Sequence, residues 1–333
     1  MNNLFPASYL KQFSIVDYGY TKSAIPSSFS QYEKWIKRGE HGGLTYLEGH
    51  RLDLRASVKN IYPDFESSLV FIFSYQDERI ALNNYYNSRG KKRMPKISSY
   101  VFASNGLDYH YVLKNNLVKI GEYLRIQFPG LEYKVCLDVH PVLERDLAYR
   151  AGLGWFGKNS MLISKEQGSF NMIGSLLLNQ EIPSESEASS LDVDHCGSCT
   201  ACIDICPTKA IDESNRTLVA NKCISSFSIE VFKEESAPLG MEKSEGEIFG
   251  CDLCQDICPW NKKWERNNLK KEAEIFSSPQ AKLLKDFFLD KDFLEIKVEL
   301  EKMSNREFKR KFSKTPLERT GRVGLLKNLS IYL

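Results

Sequence analysis

Ser68-Leu-Val-Phe-Ile-Phe-Ser74 is an apolar run without polar interruption, the pattern of a strand buried on both faces. Between Gly106 and Phe128 the period changes: Tyr109, Leu113, Leu117, Ile120 and Leu124 recur at helical spacing and predict a long amphipathic helix. Tyr133-Lys-Val-Cys136-Leu-Asp138-Val alternates as a strand does, with Cys136 as a small buried hydrophobe on it. A second helix is expected over 142–151, stopped by Gly152, and 169–178 reads as a further strand. Strand, helix, strand, helix, strand is the order of an α/β domain.

The flanks are less regular. Residues 1 to about 60 read as short helices and loops, with one helix starting behind the serines of Ser27-Ser28-Phe29-Ser30-Gln31-Tyr32-Glu33-Lys34-Trp35-Ile36. Arg51-Leu-Asp53-Leu-Arg55 precedes the first strand. The stretch 84–96 holds Arg89, Lys91, Lys92, Arg93 and Lys96 among turn residues and is expected to be a flexible basic loop, either solvated or phosphate-binding. Ser184-Glu-Ser-Glu-Ala-Ser-Ser190 reads as a linker. Residues 263–333 have helical character throughout, and their last part is basic: Arg306, Lys309, Arg310, Lys311, Lys314, Arg319, Arg322 and Lys327. The final apolar helix pattern, 323–333, stops without a cap, as in a chain interrupted in mid-motif.

The cysteines change the picture most. Eight of the nine fall between Cys196 and Cys258. Cys196-Gly-Ser-Cys199-Thr-Ala-Cys202-Ile-Asp-Ile-Cys206-Pro207 is the ferredoxin run C-x2-C-x2-C-x3-C-P, and Cys251-Asp-Leu-Cys254-Gln-Asp-Ile-Cys258-Pro259 lacks one cysteine of it. Cys223 can supply the missing thiolate. In such runs the cysteine before proline ligates the other cluster, which assigns Cys196, Cys199, Cys202 and Cys258 to one 4Fe–4S cluster and Cys206, Cys223, Cys251 and Cys254 to the other. Zinc sites come as separated ligand pairs, and disulfide frameworks belong to small secreted chains, so neither fits this spacing.

With 333 residues the chain can form two or three domains. The expected division is a helical cap (1–60), an α/β domain (61–183), the cluster module (192–262) and a helical region (263–333). A net charge of +2 gives no global electrostatic address, so an acidic partner must be held by local patches. Met1-Asn-Asn-Leu-Phe-Pro6 does not read as a secretory signal, and no stretch has the ~20 apolar residues of a membrane span. The expected compartment is the cytoplasm.

Gly152-Leu-Gly154-Trp-Phe-Gly157-Lys158 matches two glycine patterns and satisfies neither. A dinucleotide fingerprint follows a strand, whereas this run follows a helix; a P-loop needs Ser or Thr where Asn159 stands. A tight glycine loop open to close approach by something flat or bulky is what remains. Asp138, followed by His140-Pro141, lies at the end of a predicted strand, where a partly desolvated carboxyl can act as a general acid. His110 reads as a lone helix histidine with a structural role.

Taken together, these residues resemble the epoxyqueuosine reductase family, cobalamin-dependent iron–sulfur enzymes of tRNA queuosine maturation. The resemblance is carried by 51–55, Asp108-Tyr-His110, Asp138-Val-His-Pro-Val-Leu-Glu-Arg145, Ala151-Gly-Leu-Gly-Trp-Phe-Gly-Lys-Asn159, Cys223-Ile-Ser-Ser-Phe-Ser-Ile-Glu230 and 249–261. It implies an α+β or α/β architecture: a corrinoid-binding domain with a nitroreductase-like sheet, a ferredoxin-like module with two clusters, and the first helix (316–333) of truncated HEAT-like repeats. The implied reaction reduces epoxyqueuosine to queuosine at the tRNA wobble position. Electrons pass singly through the clusters to base-off cobalamin and on to the epoxide, and water is lost. Asp138 matches the family's proposed proton donor. Cofactor contacts would fall at Arg55, Asp138, Gly154, Trp155, Lys158, Ser160, Leu162 and Ser225, the last setting the second cluster nearest the cobalamin. The implied partners are tRNA, with basic residues on its backbone and the modified base turned out of its stack, and an external low-potential electron donor. The protein would be a monomer without membrane attachment. The competing readings are a cobalamin-dependent reductive dehalogenase and a corrinoid-activating electron-transfer protein. Dehalogenases usually carry a twin-arginine signal, and an activator requires neither Asp138 nor a basic surface.

Overall fold

The computed structural model describes residues 4–90, 93–183, 194–231, 235–265 and 272–333. The linker reading at Ser184–Ser190 and the lysines Lys91 and Lys92 lie outside them. The chain divides into two compact units: Met1–His41, Thr45–Ser74 and His110–Cys199 form the first, and Gly42–Leu44, Tyr75–Tyr109 and Thr200–Leu333 the second.

The first unit is built on a four-stranded sheet of β1 (Ile15–Thr21), β2 (Ser67–Ser74), β3 (Tyr133–Cys136) and β4 (Asn171–Leu178), in the order β1-β2-β4-β3. All three pairings are antiparallel. This places the sheet on the α+β side of the expectation. β2 is the apolar run, buried along nearly its whole length because it has a neighbour on each side. β1 replaces a region expected to hold only helices and loops. Its mixed residues and a register shift between Ile15 and Asp17 hide the alternation of an edge strand.

Helices cover both faces of the sheet. In the Tyr109–Gln127 helix, Leu113, Leu117, Ile120 and Leu124 form one buried stripe, and a side chain at Gly174 on β4 would meet Leu117 Cδ1 at 2.8 Å. Val70 and Ile72 of β2 point the other way, into a core with Cys136, Leu147, Ala148 and Leu177. Leu147 and Ala148 belong to the Glu144–Arg150 helix, which ends at Gly152 with φ +77°. Buried Asp146 in this helix accepts hydrogen bonds from Ser27 Oγ and Ser28 N, both at 2.7 Å, and pairs with Arg150 Nε at 2.5 Å. The Phe29–Lys37 helix therefore starts where expected, but its entry is anchored by a distant carboxylate and not by a serine hydroxyl.

In the second unit the predicted basic loop is partly helix, Gln76–Ser88, whose Ala81, Leu82, Tyr85 and Tyr86 enter a large core. Phe287, Phe288, Phe312, Leu325 and Leu329 from the C-terminal helices complete that core. The expected helix over 316–333 is a single turn, Pro316–Glu318, followed by a helix over Gly321–Leu329. Between them Thr320 Oγ1 donates to Ile229 O at 2.9 Å. Three of the basic residues are used inside this unit: Arg319 pairs with Glu230, Arg322 Nε donates to Asn305 Oδ1, and Lys327 Nζ donates to Phe227 O and Val231 O.

Candidate functional site

In the first unit the turn after β3 carries Asp138. Leu137 N donates to His140 Nδ1 at 3.1 Å, and His140 N donates to Leu137 O at 2.8 Å, closing a short turn. Burial lowers the His140 pKa, which favours the neutral ring that this acceptor role requires. Arg51 Nη2 donates to Val139 O at 2.9 Å and fastens the turn from outside. Asp138 is thereby exposed on a turn fixed at both ends. Its Oδ1 lies 2.6 Å from Nε2 of His110. His110, expected to be a structural helix histidine, is therefore the carboxylate's partner. Its place beside Asp108 and Tyr109 in a quoted motif was the available signal, but the pairing depends on a fold contact across 28 residues.

Glu144 and Arg145 follow on the next helix. Glu144 Oε1 is enclosed and has no hydrogen-bond partner. Its pKa is raised well above the ordinary carboxyl range, first by burial and then by the Asp138 charge; His110, Arg145 and Arg55 oppose this more weakly. Arg145 Nη1 donates to Ser160 O, linking this helix to the glycine loop. Arg55 is 5% exposed, donates to Arg51 O at 3.0 Å and stands over the Tyr32 ring. Burial lowers its pKa, yet a guanidinium remains charged at neutral pH. Arg51, Glu144 and Arg145 thus join Arg55 and Asp138 in one polar cluster, and sequence reasoning gave none of the three a role.

The glycine loop is a hairpin pairing Trp155–Phe156 with Leu162–Ile163, turned at Ser160 with φ +64°. The space at its glycines is filled from within. A Cβ on Gly154 would lie 2.2 Å from Ile163 O, and one on Gly157 would lie 2.6 Å from Ile163 Cδ1. The glycines thus serve the hairpin's own packing, which corrects the expectation of a loop left open for a ligand. Trp155 is 1% exposed with its ring edge-on to His195, and Lys158 and Leu162 are also buried. Of Gly154, Trp155, Lys158, Ser160 and Leu162, only Ser160 is half-exposed. Gly154 has φ +151°, so Gly154→Ala is expected to destabilise the first unit by ~1–3 kcal/mol, read as a lower urea midpoint.

All nine cysteines are free thiols. In the second unit Cys206 precedes Pro207 after the Ala201–Ile205 helix, Cys223 caps the Ile224–Glu230 helix, and Cys251 and Cys254 bracket the start of the Leu253–Asp256 helix. Their charges are mutually felt: Cys254 senses Cys223, Cys202 and Cys206, and Cys251 senses Cys254 and Cys223. Burial raises the thiol pKa of Cys223, Cys251 and Cys254, while the amides of Ser225 and Ser226 point at the Cys223 sulfur and oppose the rise. Ser225 is thus placed by its backbone next to a proposed ligand. Among the described residues no three His, Cys, Asp or Glu side chains surround a site for a single metal ion.

Asp252, 5% exposed between Cys251 and Cys254, accepts hydrogen bonds from Ser98 Oγ at 2.5 Å, Ser99 N and Ser99 Oγ at 2.8 Å and Arg79 Nη1 at 3.1 Å. Arg79 also pairs with Asp256. This buried network fixes the cysteine loop to the Gln76–Ser88 helix, and nothing in the sequence announced it.

A family described as "4Fe-4S double cluster binding domain" matches residues 195–261, and one described as "Epoxyqueuosine reductase QueG, DUF1730" matches residues 55–139. Epoxyqueuosine reductase from Cellulophaga algicola is 33% identical over 298 residues, covering 89% of this chain and 86% of the relative. Among solved structures, an epoxyqueuosine reductase crystallised with an epoxyqueuosine-modified tRNA stem loop matches with TM-score 0.70 and 25% identity, covering 98% of this chain and 79% of that one. The Bacillus subtilis enzyme, solved with an aspartate-bearing catalytic loop swung out of the active site, matches with TM-score 0.70 and 26% identity over the same shares. With a third of its residues shared along nearly nine-tenths of its length, the chain belongs to the epoxyqueuosine reductase family.

Proposed function

We propose that this protein reduces epoxyqueuosine to queuosine in tRNA and that Asp138 is the acid of the reaction. The observation that carries the reading is the exposed Asp138 carboxyl held 2.6 Å from His110 on a turn fastened by Arg51. When bound, two 4Fe–4S clusters supply single electrons and a base-off cobalamin supplies a reductant strong enough for an epoxide.

The residues present fit these groups. Free thiols at Cys206, Cys223, Cys251 and Cys254 would hold one cluster, and the spacing assigns Cys196, Cys199, Cys202 and Cys258 to the other. For the corrinoid, Arg51 Nε is enclosed beside the Asp138 turn without a hydrogen-bond partner, a donor suited to the amide groups that fringe a corrin. Arg55, Asp138 and half-exposed Ser160 are the proposed corrinoid contacts of the first unit; the resemblance also implies Gly154, Trp155, Lys158, Leu162 and Ser225, of which Trp155, Lys158 and Leu162 have buried side chains.

An epoxide oxygen leaves as water only after taking up two protons, so the chain must deliver acid at that oxygen. Asp138 can do this from its turn, with His110 orienting the carboxyl. Arg306, Lys309, Arg310 and Lys314 remain exposed on the second unit and are proposed contacts for tRNA phosphates. No helix among the described residues is long and apolar enough to cross a membrane.

Anaerobic reconstitution tests this reading. About eight iron atoms per chain are expected, together with one cobalamin and cobalamin-dependent turnover of epoxyqueuosine-containing tRNA. Dehalogenation of a halogenated phenol without tRNA turnover would favour the dehalogenase alternative. Full cluster content with no cobalamin binding would overturn the mechanism.

A further inference from the structure

The reaction consumes two electrons and two protons: both C–O bonds of the epoxide break, a C=C bond forms, and the oxygen departs as water. An external low-potential reductant supplies the electrons. The protons have to be held where Asp138 can draw on them.

At pH 7 an exposed carboxyl of ordinary acidity is almost wholly ionised, because its pKa lies about three units lower. The Asp138 side chain is 46% exposed, so it is open to a substrate but a poor place to store a proton. Its partner is better suited. His110 Nε2 lies 2.6 Å from Asp138 Oδ1, and the ring is itself 27% exposed. Imidazole is the side chain whose ordinary pKa lies beside neutrality, and a carboxylate at hydrogen-bond distance favours its charged form. His110 also stands on a rigid element: it lies in the first turn of the Tyr109–Gln127 helix, which is anchored by buried Leu113 and Leu117. Around the pair are Glu144 from the Glu144–Arg150 helix, which senses both members, and His140 from the turn, which senses Asp138, Lys134 and Lys114. Arg51 of the His50–Arg55 helix holds the same turn through Val139 O.

We propose that His110 stores the protons that Asp138 delivers. The resting pair is imidazolium and carboxylate. A proton moves from Nε2 to Oδ1, which leaves a neutral ring, and the carboxyl turns about its Cβ–Cγ bond to give that proton to the epoxide oxygen. The half-exposed ring takes up another from water, and the same transfer supplies the second. Two such cycles and two electrons account for the alkene and the water. His110 does not touch the substrate; it is a positioning residue that also carries the proton. The inference rests on the proposed epoxide reduction and deepens it. Orienting the carboxyl needs only an N–H donor, whereas loading it needs a donor that titrates.

Glutamine separates the two roles, since its amide keeps an N–H donor and does not titrate. His110→Gln should lower kcat on epoxyqueuosine-containing tRNA on the order of 10²-fold, with cobalamin content and KM for tRNA near wild type. Wild-type kcat should fall as pH rises through the range where the imidazolium loses its proton, and the variant should lack that fall. A variant that keeps most of the rate and the wild-type pH profile leaves His110 an orienting group and overturns the proposal. Cobalamin lost in proportion to activity overturns it too, by making His110 a cofactor contact. A second measurement needs neither cobalamin nor tRNA: C2 hydrogen–deuterium exchange of His110, followed by mass spectrometry on the full chain with its clusters. The His110 titration should move to lower pH in Asp138→Asn by roughly one unit or more. An unmoved titration beside normal wild-type turnover sinks the proton store alone. A moved titration with no turnover of the tRNA by wild type sinks the functional reading, and with it the destination of the proton.

Discussion

Replacing Asp138 with asparagine is expected to cut turnover by roughly 10²–10⁴-fold, the usual contribution of a positioned general acid. The fold should not suffer. Asp138 is exposed, and its turn is closed by Leu137, His140 and Arg51, none of which uses the Asp138 carboxyl. An amide keeps the size and can still accept from His110, but it has no acidic proton for a leaving oxygen. The check is kcat on epoxyqueuosine-containing tRNA beside cobalamin content and melting temperature. A variant with unchanged activity would remove Asp138 from the chemistry. One that loses cobalamin in proportion to activity would turn it from an acid into a cofactor contact.

The second large effect is structural and lies in the other unit. Arg79→Met should destabilise that unit by ~3–5 kcal/mol, because it leaves buried Asp252 and half-buried Asp256 without their cation. Asp256 already has its pKa pushed up to about 6 by burial, with Arg79 holding it down. Without Arg79 the carboxyl titrates higher still, so folding takes up a proton that the unfolded chain does not hold at neutral pH. The variant's stability should therefore fall as pH rises from the unfolded carboxyl range through the new folded value. Since Asp252 lies between Cys251 and Cys254, the variant should also lose iron from the cluster proposed there. Chemical denaturation at several pH values and iron analysis check both parts. A variant of wild-type stability that retains all its iron would mean that the network is not what holds the cysteine loop.

What could be read from sequence follows from how each feature is encoded. β2 and the Tyr109–Gln127 helix declare themselves because their apolar residues keep one period over a long stretch. β1 does not, since Asp17 and Gly19 interrupt it and its register shifts, while Gly19 is needed where a Cβ would strike Ala151 O at 2.2 Å. The Gln76–Ser88 helix was hidden by asparagines and tyrosines that are poor helix formers, and it is held by burial of Tyr85 and Tyr86. Strand direction has no local signature, so an α/β order of elements concealed an antiparallel sheet.

The site divides in the same way. Cysteine spacing is a local code, and a double-cluster module was legible from it over the stretch that the family match covers, residues 195–261. Asp138 was legible as a strand-end acid with a family counterpart. Its environment was not, because His110, Arg51 and Glu144 reach it only through the fold. The glycine run was misread for a related reason: sequence shows that glycines are required, but not whether a ligand or the chain itself fills the space they leave.

Epoxide reduction on tRNA is read out by nucleoside analysis. Reconstituted protein is incubated anaerobically with epoxyqueuosine-containing tRNA, cobalamin and a low-potential reductant, and the tRNA is digested and analysed by mass spectrometry. Conversion of epoxyqueuosine to queuosine, a loss of one oxygen, is expected, and it should require cobalamin and collapse in Asp138→Asn. Unchanged epoxyqueuosine from protein holding both clusters and cobalamin would contradict it.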